Sequence, residues 1–360
     1  MMIAYYIWLS NLKSIQLMEK KELLKKFITP ENIYAASILD FPKEYQTREN
    51  FVNEIERRNL EQSEEILKEN ANNNIKTITI DNPFYRGSSR AEASSPLVLY
   101  YKGELSMEAK PTVAVVGTRK ATEYGKVVAQ LIWREYVDNN SIILSGLAAG
   151  IDSLAHQACL DAGGITYAFV ANGLDTCYPA QNLKLMETIE KNGAVISPYP
   201  AGTLPKPHHF INRNKILAGW ADEIVVVEAG AKSGALMTAD FGKKFNRKIY
   251  AVPNNIFESS SIGCNQLILK GAIPYICKEG NLNSQLKKQK AKVKVAPIAE
   301  ILKAIPLSVA DLALKLSDTP ENLNKELFLL ELEGQVGFKP DGKWHYTGWR
   351  LGKSAISKSC

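Results

Sequence analysis

The sequence predicts an α/β protein: a doubly wound parallel sheet, flanked by an N-terminal helical domain and a C-terminal winged-helix domain. Two observations support this fold class. First, short apolar runs alternate with helical patterns through the middle of the chain, and parallel strands need such crossover helices because both of their faces are buried. Second, a compact pattern of three helices and a hairpin follows a lysine-rich stretch near the C-terminus.

The N-terminal part of the chain has helical rather than strand-like patterning. Leu23, Leu24 and Phe27 recur at helical spacing, and the same periodicity resumes further along. The Asn-rich run at 70–74 then favours a linker. We therefore predict an N-terminal helical domain over residues 1–75, of the small SAM or helix-hairpin-helix type.

Short apolar runs define the strands of the central domain, which we predict over residues 76–282. The runs are bounded by glycines and polar residues, and helical patterns such as 122–137 separate them. They lie at 113–116, 142–144, 167–170, 194–196, 223–227 and 249–252. This alternation predicts that successive strands are connected by helices lying on the faces of one sheet.

A cluster of lysines follows the central domain, and Lys287, Lys288, Lys290, Lys292 and Lys294 stand close together. Such a run is typical of an exposed stretch, so we predict a Lys-rich linker over residues 283–296. Beyond it, residues 297–360 show three helical patterns and a hairpin that turns at Asp341-Gly342. That order predicts a winged helix-turn-helix.

Composition limits the classes of protein that the chain can belong to. Basic residues number 44 and acidic residues 38, and the formal charge of +6 permits an anionic partner without requiring one. The five cysteines form no CxxC pair, which favours a reducing compartment. No apolar stretch approaches the ~18 residues of a membrane span, and no basic residue precedes the apolar run at 3–9 as in a signal peptide. We therefore expect a cytoplasmic protein with no membrane association.

Glycine-rich and basic segments follow the predicted strands at their carboxyl ends, the edge where open parallel sheets bind ligands. Glycine lets the backbone approach a ligand closely, and the helix N-termini that follow present free amides to phosphate groups. These segments are Gly117-Thr118-Arg119-Lys120, Ser145-Gly146, Asn172-Gly173 and Lys232-Ser233-Gly234. The sequence therefore predicts one edge of the sheet lined with amides and cations.

A second basic cluster, Arg213-Asn214-Lys215, stands in a predicted helix that runs to Gly219. Cations flanked by side-chain amides suit an anion that carries hydrogen-bonding bases. Arg119 adds a guanidinium group that can hold a phosphate with two hydrogen bonds. We therefore expect a polyphosphate or a nucleic-acid backbone as the ligand.

Catalytic and metal sites receive less support. Asp152 and His156 stand four residues apart on one predicted helix, and such a pair more often pins a helix or caps a neighbouring loop than catalyses. Ser145 lacks a Gly-x-Ser-x-Gly elbow, and His208-His209 lacks further ligands. No GxGxxG follows the first strand and no GxxxxGK[ST] occurs. We expect no catalytic residue, no metal and no cofactor.

Six motifs, in one order, resemble the DNA-processing protein A family, also called DprA or Smf. They span residues 111–272, and Leu97–Gly103 resembles the strand that enters the same domain. The motifs are VAVVGTRKATEYG at 113–125, SGLAAGIDSLAH at 145–156, NGLDTCYPAQN at 172–182, FINRNKILAG at 210–219, VVVEAGAKSGALMTA at 225–239 and GCNQLILKGA at 263–272. Six ordered motifs are far more specific than one glycine-rich loop.

The resemblance implies a Rossmann-like core that binds single-stranded DNA, protects incoming DNA and loads the RecA recombinase onto it during natural transformation, the DNA uptake of competent cells. It also implies a homodimer formed through that core. The convergence of cations and amides without a credible nucleophile, metal set or matched acid–base pair separately predicts that the protein performs no chemical step. By resemblance, the DNA-contacting positions fall on Gly117, Thr118, Arg119, Lys120, Ser145, Gly146, Arg213, Asn214, Lys215, Lys232, Ser233 and Gly234. Our interpretation of the residues adds Asn172 and Gly173 to the site, and an unstacked base would enter near Asn172 and Arg213.

Two other hypotheses remain open. Related folds include phosphoribohydrolases, so the chain could be a nucleotide hydrolase that uses Asp152, His156 and Glu228. Alternatively, the C-terminal winged helix could be the main reader of DNA. Its third predicted helix carries four glutamates, Glu326 and Glu331 among them, and a single lysine. A recognition helix should instead be basic. We therefore interpret that domain as a protein-contact or dimerisation element.

Overall fold

The computed structural model divides the chain into two compact units, residues 1–278 and 279–360. It describes residues 2–86, 94–276, 296–316, 318–332 and 334–347. The lysines of the predicted linker at 283–296 lie outside these residues. None of the described helices is long and apolar enough to cross a membrane.

Helices form the start of the first unit, as the apolar spacing predicts. They are α1 (Met2–Asn11), α2 (Leu17–Phe27), α3 (Pro30–Ala35), α4 (Lys43–Gln46), α5 (Glu49–Glu56) and α6 (Glu61–Asn72), with a 3-10 turn at Ile38–Asp40. Their buried side chains, such as Ile7 and Phe51, belong to one core cluster with Val98 and Val195 of the sheet. The N-terminal helices therefore pack onto the sheet within a single unit.

The Asn-rich run at 70–74 is not an extended linker, which corrects the sequence-based expectation. Helix α6 continues through Asn72, and Asn70 is buried. The backbone amide of Ile75 donates to the Asn70 carbonyl oxygen at 2.8 Å, so the chain turns directly into the first strand. Burial and this tight turn outweigh the polarity of the asparagines.

A nine-stranded sheet forms the centre of the first unit. Its strands are β1 (Lys76–Thr79), β2 (Val98–Gly103), β3 (Thr112–Val116), β4 (Ile142–Ser145), β5 (Thr166–Phe169), β6 (Gly193–Ser197), β7 (Glu223–Val226), β8 (Lys248–Ala251) and β9 (Ile273–Pro274). The spatial order is β1-β2-β6-β5-β4-β3-β7-β8-β9, and β3 to β9 are parallel to one another. Each predicted strand of the central domain lies within two residues of an observed one.

Two strands with antiparallel pairing complete one edge of the sheet, a departure from the parallel sheet predicted from the sequence. β2 pairs antiparallel with β6, with Tyr101 opposite Ile196, and β1 pairs antiparallel with β2. The direction of a buried strand leaves no trace in its apolar pattern, since parallel and antiparallel strands with two covered faces look alike.

Helices cover both faces of the parallel strands. They are α7 (Glu123–Asp138), α8 (Ile151–Asp161), α9 (Leu183–Asn192), α10 (Pro207–Trp220), α11 (Gly234–Lys244) and α12 (Ile262–Leu269). Side chains alternate across a strand, so Val115 packs with residues of α7 and α8 while Val116 packs with residues of α10 and α11. β3 lies between β4 and β7, where the chain reverses its direction of travel across the sheet. A crevice opens at such a reversal in doubly wound folds.

The second unit contains the three helices and the hairpin that the sequence predicts. The helices are α13 (Ala296–Ala304), α14 (Val309–Leu316) and α15 (Pro320–Leu332), and β10 (Val336–Phe338) pairs antiparallel with β11 (Trp344–Tyr346). Leu312, Leu327 and Trp344 meet in a small apolar core. The winged-helix assignment itself stays a prediction.

Candidate functional site

A cleft of about 490 Å³ lies at the carboxyl ends of β3 and β7, at the reversal point of the sheet. The loop after β3, the start of α8, the first half of α10 and the start of α11 line it. Two of the four glycine-rich segments that follow strands, those at 117–120 and 232–234, therefore contribute residues to one cleft, as the parallel order predicts.

Two exposed cations line the cleft and come from different loops. Arg119 lies on the loop after β3, and Lys232 lies just before α11; both line the cleft. Lys120 is exposed on the same loop as Arg119, and Lys215 is half-buried on α10, but neither of these two lysines lines the cleft. Arg119 and Lys232 are thus the cations placed to face a ligand inside it.

The N-terminus of α11 opens into the cleft. Ser233 caps the helix, with its hydroxyl accepting from the Ala235 amide at 3.4 Å, and Gly234 begins it. A side-chain carbon added at Gly234 would meet no atom within 4 Å, so the space beside this first turn is open. Free amides and the helix dipole make such a terminus a binding site for a negatively charged group. Asn214 of α10 donates to the Gly234 carbonyl at 3.4 Å and closes this side of the cleft.

Aromatic rings stand beside the cations, a feature that the sequence analysis missed. The Arg119 guanidinium lies 5.6 Å from the centroid of the Phe210 ring, and the Tyr178 ring packs edge-on against Phe210 at 5.7 Å. A smaller recess of about 80 Å³ lies between these residues and adjoins the cleft. The signal in the sequence is Phe210 itself, which leads the basic FINRNK segment.

Four of the sequence-predicted positions are buried and bonded internally. The Ser145 hydroxyl donates to the Val115 carbonyl at 2.6 Å, and the Asn172 side-chain amide donates to the carbonyls of Gly173 and Thr176 at 2.9 Å. Gly146 and Gly173 are buried with them. These residues shape the loops beneath the cleft, and their contact with DNA stays a prediction.

Asp152 accepts hydrogen bonds from the loops that the sequence analysis assigned to phosphate. Its Oδ2 atom accepts from the Gly146 amide at 3.1 Å, and the amides of Gly117 and Ala148 also donate to the carboxylate. Burial raises the pKa of Asp152, while the Arg213 charge and these amides act in the opposite direction. The carboxylate therefore caps a neighbouring loop, the role that the sequence analysis favoured for it.

Arg213 is buried beneath the cleft, with only 5% of its surface exposed. Its Nη1 atom donates to the Gly146 carbonyl and, at 2.6 Å, to the Phe169 carbonyl. Burial lowers the pKa of Arg213, and Asp152 partly offsets that effect. Although Arg213 lines the floor of the cleft, its hydrogen bonds run to the ends of β4 and β5.

His156 and Glu228, the other candidates for acid–base chemistry, are completely buried. The Nδ1 atom of His156 bonds to the Thr166 hydroxyl at 2.7 Å, and burial lowers the pKa of His156 to about 3. Glu228 accepts from the Thr122 amide at 3.0 Å. Ser145 and His156 each bond elsewhere, so they do not form a nucleophile–base pair. Within the described part of the chain, no group of three or more His, Cys, Asp or Glu side chains is placed to hold a metal ion.

Comparison of the sequence with known proteins matches residues 76–286 to a family model described as DNA recombination-mediator protein A. Protein Smf of Synechocystis sp. is 36% identical over 275 residues, which cover 75% of this chain and 69% of that protein. DNA processing protein DprA of Streptococcus pneumoniae is 40% identical over 179 residues, 49% of this chain and 63% of that one.

Solved structures agree with the sequence matches. The X-ray structure of DprA from Streptococcus pneumoniae superposes with a TM-score of 0.65 at 27% identity, covering 79% of this chain and 98% of that one. DNA processing protein A from Helicobacter pylori superposes with a TM-score of 0.51 at 28% identity, covering 60% of this chain and 96% of that one; its structure is described as giving insights into a unique single-stranded DNA binding mode.

Proposed function

Because the chain belongs to the DNA recombination-mediator protein A family, we propose that it binds single-stranded DNA in the cleft at the ends of β3 and β7. The observation that carries this proposal is that cationic groups and aromatic rings lie together at this cleft. Arg119, Lys232 and the start of α11 line one cleft, and the Phe210 and Tyr178 rings lie beside Arg119. Cations hold phosphates, and rings stack on bases.

The phosphates bind to exposed groups. Arg119 and Lys232 supply full charges, and the first-turn amides of α11 supply hydrogen bonds to a phosphate oxygen. Thr118, Ser233 and Gly234 line the same cleft. Asn214 also lines the cleft, while Lys120 and Lys215 lie outside it and extend the contact along the strand.

Single strands are preferred over duplexes because the aromatic groups need an unstacked base. A base inside a duplex is stacked and paired, so its entry costs a few kcal/mol. In a single strand the base faces are already available to Phe210 and Tyr178, and such stacking contributes about 1–3 kcal/mol per base. The recess of about 80 Å³ beside Phe210 gives room for only part of a base, so the ring face is the main contact.

In the cell, we propose that the protein protects incoming single strands and loads RecA onto them during natural transformation. Membership of the recombination-mediator family supports this role. A homodimer is part of the same proposal. It is supported by exposed apolar side chains at the β9 edge of the sheet, where Leu269 and Ile276 are 87% and 78% exposed.

The protein acts without a chemical step in this proposal. Asp152, His156 and Glu228, the residues that a phosphoribohydrolase-like reaction would use, are buried, and each makes a hydrogen bond inside the fold. A general acid or base must reach the proton that it moves. Release of free base from nucleoside monophosphates at an enzymatic rate would contradict this part of the proposal.

The affinity for a labelled oligo-dT, titrated at several salt concentrations, tests the site. We expect the Arg119→Ala variant to bind about tenfold more weakly, because a charge-assisted hydrogen bond to phosphate is lost. The log–log salt slope should also fall by about 0.7, the value for one phosphate contact on a single strand. The measurement is fluorescence anisotropy with single-stranded and double-stranded oligonucleotides side by side.

Arg134→Ala is the matched control, because Arg134 is exposed on α7, eleven residues beyond the first residue of that helix. This variant should keep both the affinity and the salt slope of the unmodified protein. An Arg119→Ala protein that binds as tightly as the control, with the same slope, would place the strand elsewhere.

A further inference from the structure

We infer that Asp152 and Arg213 are a buried pair of positioning residues that hold the cleft in its DNA-binding shape, and that neither side chain contacts DNA. This inference rests on the proposed function, since it concerns how the same cleft is built. It departs from the sequence-based expectation that Arg213 binds DNA directly.

Both side chains act on the peptide groups of a single residue, Gly146. The Gly146 amide donates to the Asp152 carboxylate at 3.1 Å, and the Gly146 carbonyl accepts from Arg213 Nη1. A side-chain carbon added at Gly146 would overlap the Arg213 guanidinium and lie 2.5 Å from Asp152 Oδ2. The glycine at this position therefore makes room for the pair, whereas the sequence pattern predicts that it lets a ligand approach.

From Gly146 the pair extends to the loop after β3, to the end of β5 and to Phe210 of α10. Asp152 also holds the amide of Gly117 after β3, while Arg213 holds the Phe169 carbonyl at the end of β5. The Arg213 guanidinium lies 5.9 Å from the Phe210 ring, one turn earlier on α10. Moving either charged group would therefore shift the loop that carries Arg119 and the ring beside it.

The carboxylate also takes the amides that would otherwise attract a phosphate. The start of α8 is an anion site in principle, but the Ile151 amide donates to the Thr118 carbonyl and the Ser153 amide to the Ala148 carbonyl. The negative and positive charges are both buried, so removing one would leave the other uncompensated in the interior. A phosphate is left with the exposed groups at Arg119, Lys232 and the start of α11.

Two explanations of the role of Asp152 predict opposite changes in oligo-dT affinity for the Asp152→Asn variant. If the cleft acts only through its summed charge, the Asp152→Asn variant removes a negative charge and should bind oligo-dT more tightly. If Asp152 is a positioning residue, the same variant should bind about tenfold more weakly, because the loops lose their fixed geometry. The salt slope should stay that of the unmodified protein, because no phosphate contact is lost.

The experiment titrates oligo-dT against Asp152→Asn, Arg213→Met, the double variant and Arg119→Ala at four salt concentrations. Weaker binding with an unchanged slope in both single variants, and a double variant no weaker than the weaker single one, supports the pair. Tighter binding by Asp152→Asn, or a slope reduced by about 0.7 in Arg213→Met, overturns it.

Arg213→Lys decides the question if thermal unfolding shows that Arg213→Met does not fold. A lysine keeps the charge that a phosphate ligand needs, so binding close to that of the unmodified protein would overturn the inference. Loss of affinity despite the retained charge supports it. Arg119→Ala serves as the reference for a variant that loses one phosphate contact. If the unmodified protein itself shows no salt-dependent binding, the proposed function is refuted, whatever the pair does.

Discussion

Individual residues show where prediction from sequence ends. Arg119 and Lys232 were predicted from their places after strands, and the structure brings them to one cleft. Ser145 and Asn172 were predicted from the same rule, yet both are buried and bonded within the fold. A strand-end position tells which edge a residue occupies. It does not tell whether its polar groups are already bonded inside the protein.

At the same scale, His156 makes the fold sensitive to acid. Its pKa falls from the usual 6.5 to about 3 on burial, so the unfolded chain takes up a proton before the folded one does. The contribution of neutral His156 to the free energy of unfolding is fully present above pH 6.5. It is lost as the pH falls towards 3, by up to about 1.4 kcal/mol per pH unit. Urea unfolding of the unmodified and His156→Gln proteins at pH 7 and pH 5 measures this loss.

The His156→Gln protein should be less stable at pH 7 and should lose less stability than the unmodified protein between the two pH values. His208→Gln, a change at an exposed histidine, should keep the full pH dependence. Equal acid sensitivity in all three proteins would show that another group dominates.

At the scale of elements, the sequence predicts the strands and helices well because their apolar periodicity is strong. It does not predict the antiparallel edge, since the pattern of β2 is compatible with either direction. Nor does it predict how neighbouring loops touch. The loop that ends in Gly150 packs against the backbone of Thr118 and Arg119, so the loops after β3 and β4 form one wall.

Gly150→Ala tests this contact between loops. Gly150 has a φ of +82°, and an added carbon would overlap the Thr118 carbonyl oxygen. Gly163, at the other end of α8, has a φ of +72° and open space around it, so Gly163→Ala meets the backbone strain alone, about 1–2 kcal/mol. We expect Gly150→Ala to destabilise the protein more and to weaken oligo-dT binding, as measured by thermal unfolding and anisotropy.

Gly163→Ala should leave DNA affinity unchanged although it lowers stability. If both variants bind DNA equally well, the wall formed by the two loops is not needed for the site.

At the scale of the whole molecule, the groups assigned to DNA lie in one compact unit, residues 1–278. The second unit carries the acidic helix α15, whose Glu321, Glu326 and Glu331 are unsuited to a phosphate backbone. The exposed apolar edge that supports the proposed dimer also lies in the first unit.

A fragment of residues 1–278 should therefore bind oligo-dT within about threefold of the full chain, a difference under 1 kcal/mol. Light scattering should give it twice the mass of one fragment. Anisotropy and light scattering on the same sample make both measurements. Abolished binding by a folded fragment would transfer DNA recognition to the second unit, and a monomeric fragment would remove the proposed dimer from the first.

The carboxylate of Asp152 has a kinetic consequence. The loops beneath the cleft are held by an anion that belongs to the chain, so they need no incoming phosphate to become ordered. In the proposed function, the cleft therefore needs no folding step before a strand binds, and the conformational entropy lost on binding is that of the DNA alone. The association rate should accordingly be limited by encounter and electrostatic attraction, with the lifetime of the complex determined by how many nucleotides are engaged.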